Sequence, residues 1–155
     1  MLSQKAKYGL KALIYLARNP SPTGVRIADI AESESIPRKF LDAILLELKK
    51  DGVVASRIGR AGGYRLAQAP EGIGIGQVIR VLDGPLAPIA CASRTAYRPC
   101  PDCKDVESCL IRRAMLDARD AMSRVLDTLT LAELIGGKGA GLGDAAGAGL
   151  GLPAA

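Results

Sequence analysis

Residues 27–56, IADIAESESIPRKFLDAILLELKKDGVVAS, carry the pattern that decides the fold of this chain. Their apolar spacing predicts a short helix over about 26–32, followed by a tight turn. Pro37 suits the first position of a second helix, which extends over about 37–50 until Gly52 ends it. The apolar face of this second helix consists of Leu41, Ile44, Leu45 and Leu48. Two short helices joined by a turn predict a helix-turn-helix.

A glycine-rich hairpin is predicted directly after these helices. The segments VVASRI (53–58) and YRLA (64–67) are rich in β-forming residues and flank GRAGG (59–63). A helix-turn-helix followed by a hairpin has the order of a winged helix. Further helices are expected over about 3–18 and 75–82. The apolar residues at helical spacing in the first of these are Ala6, Leu10, Leu13, Ile14 and Ala17.

The second half of the chain contains a long loop and a long helix. The loop shows no sustained periodicity, and loops of this length are usually functional or disordered. The helix, over about 109–126, carries a heptad stripe of apolar residues. This stripe consists of Ile111, Met115, Ala118, Met122 and Val125. Thr130 and Glu133 predict a capping box for a final short helix.

The predicted fold class is therefore mostly α with a small β-hairpin wing. The last 20 residues include eight Gly and six Ala, a composition typical of a disordered tail. The predicted units are a winged helix-turn-helix domain (1–83), a cysteine-rich sensor loop (84–108), a dimerisation helix with its closing helix (109–135), and the tail (136–155).

The excess positive charge of the chain is confined to its first half. Residues 1–70 contain twelve Lys or Arg against six Asp or Glu, whereas residues 71–155 contain nine against ten. Such a distribution is typical of a surface that binds phosphates, although an ordinary solvated basic surface would look the same. Four Tyr, one Phe and no Trp argue against a single-strand binder that stacks bases on aromatic rings.

The second helix of the helix-turn-helix would read base edges in the major groove of double-stranded DNA. Its N-terminal side chains are Arg38, Lys39 and Asp42. Arg38 suits a bidentate contact with guanine, and Asp42 could accept from a cytosine amino group. Arg57 and Arg60 at the hairpin tip suit a narrow minor groove. The predicted phosphate anchors, which fix register without reading sequence, are Lys5, Lys7, Tyr8 and Lys49.

Proteins of this architecture usually bind DNA as dimers. The heptad stripe of the long helix is the natural seam for a homodimer, and the alternative is the buried face of a monomer's core helix. The first apolar stretch is interrupted by Lys11, and no apolar run approaches the roughly 20 residues that span a bilayer. These features predict a cytoplasmic protein with no membrane partner, in which thiols stay reduced.

Four cysteines form the other candidate site, with the spacing Cys91-x8-Cys100-x2-Cys103-x5-Cys109. Thiolates are soft ligands that suit an iron–sulfur cluster or zinc, and of the two the cluster is favoured for four cysteines within 19 residues. A metal-free switch that forms a reversible disulfide and a four-cysteine zinc site are the alternatives. The chain has no histidine, which excludes a mixed Cys/His zinc site and a Cys–His nucleophile, so we expect no enzymatic activity.

The chain resembles the Rrf-type family of bacterial regulators that includes IscR, NsrR and RirA. The resemblance covers residues 1 to about 135. It rests on SQKAKYGLKALIYLA at the start, on the stretch 27–56, on the wing GRAGGYRLA, and on Cys103-x5-Cys109 ahead of TLAEL. It implies a winged-helix homodimer, a repressor of a palindromic operator, with a [2Fe–2S] or [4Fe–4S] cluster that controls its affinity for DNA.

The same resemblance implies a ligand set. Cys91, Cys103 and Cys109 match the three-cysteine pattern of the family. Arg112 stands where IscR-like members have a histidine, and residues 1–18 contain no acid to serve as in NsrR-like members. Cys100 is therefore the expected fourth ligand, and the fallback ligands are Asp102, Asp105 and Glu107. Some relatives bind no cluster, which keeps the thiol switch open. A thiol-based adaptor that does not read DNA is the rival from another class.

Overall fold

The computed structural model describes residues 2–59 and 62–137. Its first half contains three helices, α1 (Gln4–Arg18), α2 (Ile27–Glu34) and α3 (Arg38–Lys50), followed by β1 (Val54–Ser56) and β2 (Tyr64–Leu66). The second half contains α4 (Ile75–Asp83), α5 (Leu110–Thr128) and α6 (Leu131–Ile135). Short 3₁₀ turns lie at Pro70–Gly72 and Ala90–Ala92. Arg60 and the tail from residue 138 onward lie outside the described residues.

The helix-turn-helix follows the predicted pattern, with its helix ends shifted slightly. α2 begins at Ile27 and continues to Glu34, two residues beyond the predicted end. Ser35 then adopts a left-handed backbone conformation (φ 54°), which turns the chain into α3. Pro37 is the N-cap of α3 rather than its first helical residue. The predicted apolar face of α3 is fully buried at all four positions.

The first core is built from α1, α2, α3 and α4. Its largest fully buried side chains include Leu13, Ile30, Leu45 and Val78. The buried face of α1 differs from the predicted one, because Leu10, Ile14 and Ala17 are only partly buried. The residues of α1 that are buried are Ala6, Gly9, Ala12, Leu13 and Leu16. The buried face includes Gly9 because Leu82 of α4 packs in the space that a side chain at position 9 would occupy.

The hairpin is a two-stranded antiparallel sheet with Val54 opposite Leu66 and Ser56 opposite Tyr64. Val25, just before α2, adds a bridge to Tyr64 through two backbone hydrogen bonds of 2.8 Å. Gly24 has a φ of +93°, and a Cβ placed there would lie 2.6 Å from the carbonyl carbon of Gly63. Glycine at both positions lets the base of the wing lie directly against the start of the helix-turn-helix.

The long helix α5 lies along α4 and ends beside its N-terminus. Asp127 forms a bidentate ion pair with Arg80 of α4, with N–O distances of 2.5 and 2.8 Å. After α5, a backbone bridge pairs Thr130 with Gly74, and Leu131 enters the first core with no exposed surface. The closing helix α6 therefore packs with the first half, because its apolar residues contact the first core. The sequence had grouped α6 with the long helix instead. The capping box of Thr130 and Glu133 is confirmed.

Among the described residues, no helix is long and apolar enough to cross a bilayer.

Candidate functional site

The N-terminal end of α3 presents an exposed group of side chains. Arg38, Lys39 and Asp42 are all exposed there. Phe40 is also exposed, and its ring meets Tyr8 of α1 edge-on at a centroid distance of 5.8 Å. Sequence reasoning did not select Phe40, an exposed apolar residue among these polar ones. The pair joins α1 to the predicted base-reading turn of α3.

Three arginines surround one cavity of about 500 Å³ between α2, α3 and the hairpin. They are Arg26, Arg38 and Arg57, and the backbone of Gly62 and Gly63 forms part of the wall. Arg26 was not predicted, because it precedes α2 in a stretch that shows no functional motif. Its guanidinium is hydrogen-bonded to Asp29 at 2.8 Å, and this bond raises the pKa of Arg26. Asp29 balances much of the charge of Arg26, so the cavity owes its basic character mainly to Arg38 and Arg57. Its glycines allow a close approach by backbone phosphates.

Asp42 lies close to the base of the hairpin. Burial, followed by the negative charge of Asp42, raises the pKa of Tyr64 on β2. The predicted base-reading carboxylate and the wing are thus electrostatic neighbours.

The predicted phosphate anchors have different surroundings. The Lys5 ammonium is paired with Glu47 of α3 at 2.7 Å, so much of its charge is already balanced within the chain. Lys7 and Lys49 are exposed, and Tyr8 is half-buried under Phe40. Arg60 of the wing tip is outside the described residues, whereas Arg57 is exposed.

All four cysteines line a single cavity of about 210 Å³ between the loop and the start of α5. Cys91 lies in the 3₁₀ turn Ala90–Ala92 and is only 4% exposed, while the other three are half-buried. Part of the loop is therefore packed against the rest of the chain, because Cys91 and Ala92 are buried beside α5. Cys109 is the N-cap of α5, and its Sγ accepts a hydrogen bond from the Arg112 backbone N–H at 3.4 Å.

The thiols lie in two contacting pairs. The Sγ atoms of Cys91 and Cys100 are 3.7 Å apart. Their hydrogen bond, and then burial, raises the pKa of Cys100. Burial and the neighbouring Cys109 raise the pKa of Cys103. A bound cation would act against the raised pKa values of Cys100 and Cys103 by stabilising their thiolate forms.

The fallback carboxylates divide by position. Asp102 lines the cavity, whereas Asp105 and Glu107 do not. Asp105 accepts hydrogen bonds from Ser108 and from the Glu107 backbone N–H, which lower the pKa of Asp105 and hold it within its own turn. Cys100 and Asp102 are therefore the candidate fourth ligands that face the other cysteines.

A single metal ion and a cluster make different demands on such a cavity. Zinc needs four ligands at about 2.0–2.3 Å around one centre. Within residues 2–59 and 62–137, no three Cys, Asp or Glu side chains are grouped in this way. In an iron–sulfur cluster the thiolates are divided among two or four irons, so they line a larger space. A cavity that two pairs of thiols line fits this demand better than the zinc alternative.

The heptad stripe of α5 is partly exposed in the described chain. Ile111, Ala118 and Met122 are exposed, and Met115 and Val125 are half-buried. None of these five side chains is fully buried, although Met122 borders a cavity beside Ile79 of α4. The homodimer seam therefore stays a prediction.

Comparison with known proteins identifies relatives along most of the chain. A family model described as "Rrf2: Iron-dependent Transcriptional regulator" matches residues 2–137. The "Putative HTH-type transcriptional regulator rrf2-like" of Rhodobacter capsulatus is 45% identical over 138 residues, 87% of this chain and 92% of that protein.

Two solved structures are similar to the fold. "The Structure of CymR (YrzC) the Global Cysteine Regulator of B. subtilis" matches with a TM-score of 0.68 and 31% identity, over 88% of this chain and 96% of that one. "T. potens IscR" matches with a TM-score of 0.69 and 27% identity, over 88% of this chain and 87% of that one.

Proposed function

The chain belongs to the Rrf2 family of transcriptional regulators, and from that premise we propose that it is a homodimeric repressor whose operator affinity is controlled by an iron–sulfur cluster in the cysteine cavity. The family consists of regulators, so the chain is not an enzyme. The observation that carries the proposal is the convergence of all four cysteines on one cavity, at the start of the helix that bears the exposed apolar stripe.

For DNA, the proposed reading surface is the N-terminal end of α3. Arg38 and Asp42 would contact base edges, with Lys39 beside them. The cavity between α2, α3 and the wing would receive the phosphate backbone, held by Arg26 and Arg57. Lys7 and Lys49 would add phosphate contacts on either side, and Arg60 remains a predicted contact of the wing tip.

The DNA proposal is tested by comparing two variants at two salt concentrations. Arg38→Ala is expected to weaken specific operator binding by about 1–3 kcal/mol while changing binding to random duplex much less. Lys49→Ala is the matched control on the same helix, and it should weaken both about equally and reduce the salt dependence. Equal losses on both duplexes for Arg38→Ala would assign Arg38 to phosphate, and salt-insensitive or absent binding would favour the adaptor.

For the dimer, the proposed seam is the exposed stripe of α5. An α5 pairing with its copy would bury Ile111, Ala118 and Met122 and place two recognition helices on the half-sites of a palindrome. Met122→Glu is expected to yield monomers in analytical ultracentrifugation, with Arg124→Glu, on an exposed position of the same helix, as the control. Dimers that persist in Met122→Glu would refute this seam.

For the cluster, the proposed ligands are Cys91, Cys100, Cys103 and Cys109, with Asp102 as the alternative to Cys100. A cluster bound by these thiolates would supply a group whose presence or oxidation state depends on iron and oxidants. The residues of the chain would hold it in a cavity that Ile89 and Val106 shield on the apolar side. Because Cys109 begins α5, ligand binding there would restrain the end of the proposed dimer helix.

The loop 84–108 and the first turn of α5 would then form the element with two states. Coupling free energies between sites are typically about 1–3 kcal/mol, which would change operator affinity about 5- to 150-fold. A titration with operator DNA should therefore give affinities of the cluster-bound and cluster-free protein that differ by about 5- to 150-fold.

Anaerobic purification with an absorption spectrum and iron and sulfide analysis tests the cluster. Visible absorption with iron and sulfide is expected, and it should be lost in Cys103→Ala. Cys100→Ala should also lose it if Cys100 is a ligand, and Asp102→Asn should lose it if Asp102 is. Colourless anaerobic protein without iron would refute the cluster, and one zinc per chain would select the zinc alternative.

A second candidate function is a metal-free thiol switch, which the 3.7 Å contact between Cys91 and Cys100 favours. A peroxide would oxidise one thiolate to a sulfenic acid, and the second thiol would displace water to form the disulfide. Peptide mapping of metal-free protein after peroxide treatment would show a Cys91–Cys100 disulfide, and operator affinity should change with it. No disulfide between these two residues would exclude this candidate.

A further inference from the structure

The long helix α5 buries a charged residue. Arg119 is the one buried residue of the nineteen in α5, with 9% of its surface exposed. Its Nη1 donates a hydrogen bond of 2.7 Å to the backbone carbonyl of Ala92. Its Nε and Nη2 donate to one carboxylate oxygen of Asp120 at 2.9 and 2.6 Å. The guanidinium is thus fixed from both sides.

A second arginine of α5 repeats this contact two turns earlier. The Nε of Arg112 donates to the carbonyl of Cys91 at 3.0 Å. Positions seven residues apart lie on one face of a helix, so the two arginines hold consecutive carbonyls of the same 3₁₀ turn. Arg94, just after the turn, reaches Asp120 at 3.1 Å. The segment around Cys91 is therefore attached to α5 at three points.

The polar nature of this attachment is informative. Burying a guanidinium is costly unless its hydrogen bonds are made, and an apolar contact would join two segments more simply. Hydrogen bonds from charged donors are directional and about twice as strong as neutral ones. They fix the position of the two carbonyls in a way that apolar packing would not.

We propose that Arg119 and Arg112 are positioning residues, which hold the Cys91 turn on α5 so that the Cys91 thiol stays inside the cavity with Cys103 and Cys109. The proposal deepens the proposed function, because it explains how one ligand from a loop reaches two others near a helix start. Arg119 is also adjacent to Ala118 of the exposed stripe, so a shift of the turn would be felt at the proposed dimer seam.

The test measures thiol accessibility in reduced, metal-free, full-length protein. Each cysteine's alkylation rate with iodoacetamide is followed by mass spectrometry. Arg119→Met should raise the rate at Cys91 about tenfold, corresponding to about 1.4 kcal/mol, with little change at Cys103. Arg113→Met, an exposed arginine on the same helix, is the matched control and should leave all four rates unchanged.

Arg119→Gln keeps an amide donor for the Ala92 carbonyl and covers the case in which Arg119→Met fails to fold. It should raise the Cys91 rate by a smaller factor while the thermal unfolding temperature stays near that of the parent. An unchanged Cys91 rate in both variants, or an equal rise at all four cysteines, would overturn the positioning role.

Failure of the cluster and failure of the positioning role are separable in this design. Protein that never binds iron but shows the selective rise at Cys91 would refute the cluster and support the positioning role. If Arg119→Met binds the cluster as well as the parent and its Cys91 alkylation rate shows no selective rise, the result would support the cluster and refute the positioning role.

Discussion

The two halves of the molecule are held together by different forces. The DNA-binding half has a core of Leu, Ile and Val side chains such as Leu13, Leu45 and Val78, all fully buried. In the fully described stretch 84–128, the buried apolar residues are only Leu86, Cys91 and Ala92. Hydrogen bonds from arginines to carbonyls and carboxylates hold that stretch in place.

Apolar packing and directional hydrogen bonds respond differently to a local disturbance. Apolar packing is non-directional and sums over many contacts, so it tolerates a local disturbance. A few directional hydrogen bonds depend on each partner's position, so one displaced group affects the whole segment. Regions with little apolar burial also open locally at a lower free energy than the core. We therefore expect the first half to be the more stable one and the stretch 84–128 to open more readily. The following changes test that contrast.

The largest effect is expected from removing apolar volume in the first core. Leu45→Ala should destabilise the protein by about 2–5 kcal/mol, because it creates a cavity in a fully buried site. Urea unfolding would measure it, with loss of operator binding at lower urea. Leu46→Ala, the exposed neighbour on α3, is the control and should stay within about 0.5 kcal/mol. Equal losses of stability in Leu45→Ala and Leu46→Ala would contradict the view that apolar packing holds the first half together.

The second largest effect is expected at the junction of the two halves, where Gly76 of α4 faces α5. A Cβ at Gly76 would collide with the Asp127 carboxylate and lie 3.1 Å from the Leu126 carbonyl. Gly76→Ala should cost about 1–3 kcal/mol and speed amide hydrogen exchange in α5 more than in α3. Gly72→Ala is the control, because its Cβ would meet only the flexible Gln68 side chain. Uniform exchange changes would show that the halves open together.

A smaller effect is expected at the return of the chain to the first core. Thr130→Ala removes the side-chain acceptor for the Glu133 backbone N–H, which lies 3.2 Å away. The expected loss is about 1 kcal/mol, or about 2–4 °C in the thermal midpoint. Thr128→Ala is the control, since that hydroxyl only bonds back to carbonyls of its own helix. A larger loss in the control would point to helix α5 rather than the cap.

The smallest effect is the acid dependence of the α4–α5 ion pair. The hydrogen bond from Arg80 lowers the pKa of Asp127 below its ordinary 3.8. The native state then binds this proton less readily than the unfolded state, so the stabilisation is present above pH 3.8 and is lost as pH falls through the lowered value. Both side chains are partly exposed, which limits it to about 1 kcal/mol or less.

Stability measured from pH 6 to pH 3 would detect this contribution as a difference between the parent and Asp127→Asn. The variant should be less stable than the parent at pH 6, and the gap should close toward pH 3. A gap that stays constant with pH would show that the Asp127 carboxylate contributes no charge-dependent stabilisation.

Most of the first half follows from local sequence signals. The apolar face of α3 and the turn before it were predicted because their periodicity and Pro37 act within a few residues. The capping box at Thr130 was predicted for the same reason. The buried face of α1 was displaced because Gly9 accommodates Leu82, a residue more than 70 positions away, and no local pattern encodes that contact.

The site was predicted in composition but not in arrangement. The spacing of the cysteines indicated a shared site, and the structure brings all four to one cavity. The pairing of Cys91 with Cys100 depends on how the loop folds back, which spacing does not determine. Arg26 and Arg119 were missed because an arginine that lines a cavity or binds a carbonyl has the same sequence signature as a solvated one.

The backbone bridge between Gly74 and Thr130 has a consequence for how such proteins diversify. Ile75 and Leu131 donate backbone hydrogen bonds of 2.9 and 2.8 Å across this bridge, to Leu129 and Ile73. The stretch 84–128 therefore leaves from one end of α4 and returns to the other, with both anchors fixed. Because the entropy of closing a loop grows only slowly with its length, an insert of another length or ligand set fits between the same anchors. We therefore expect the proposed sensor stretch 84–128 to be exchangeable, and a chimaera that grafts a relative's stretch onto α4 should keep the operator choice of its host.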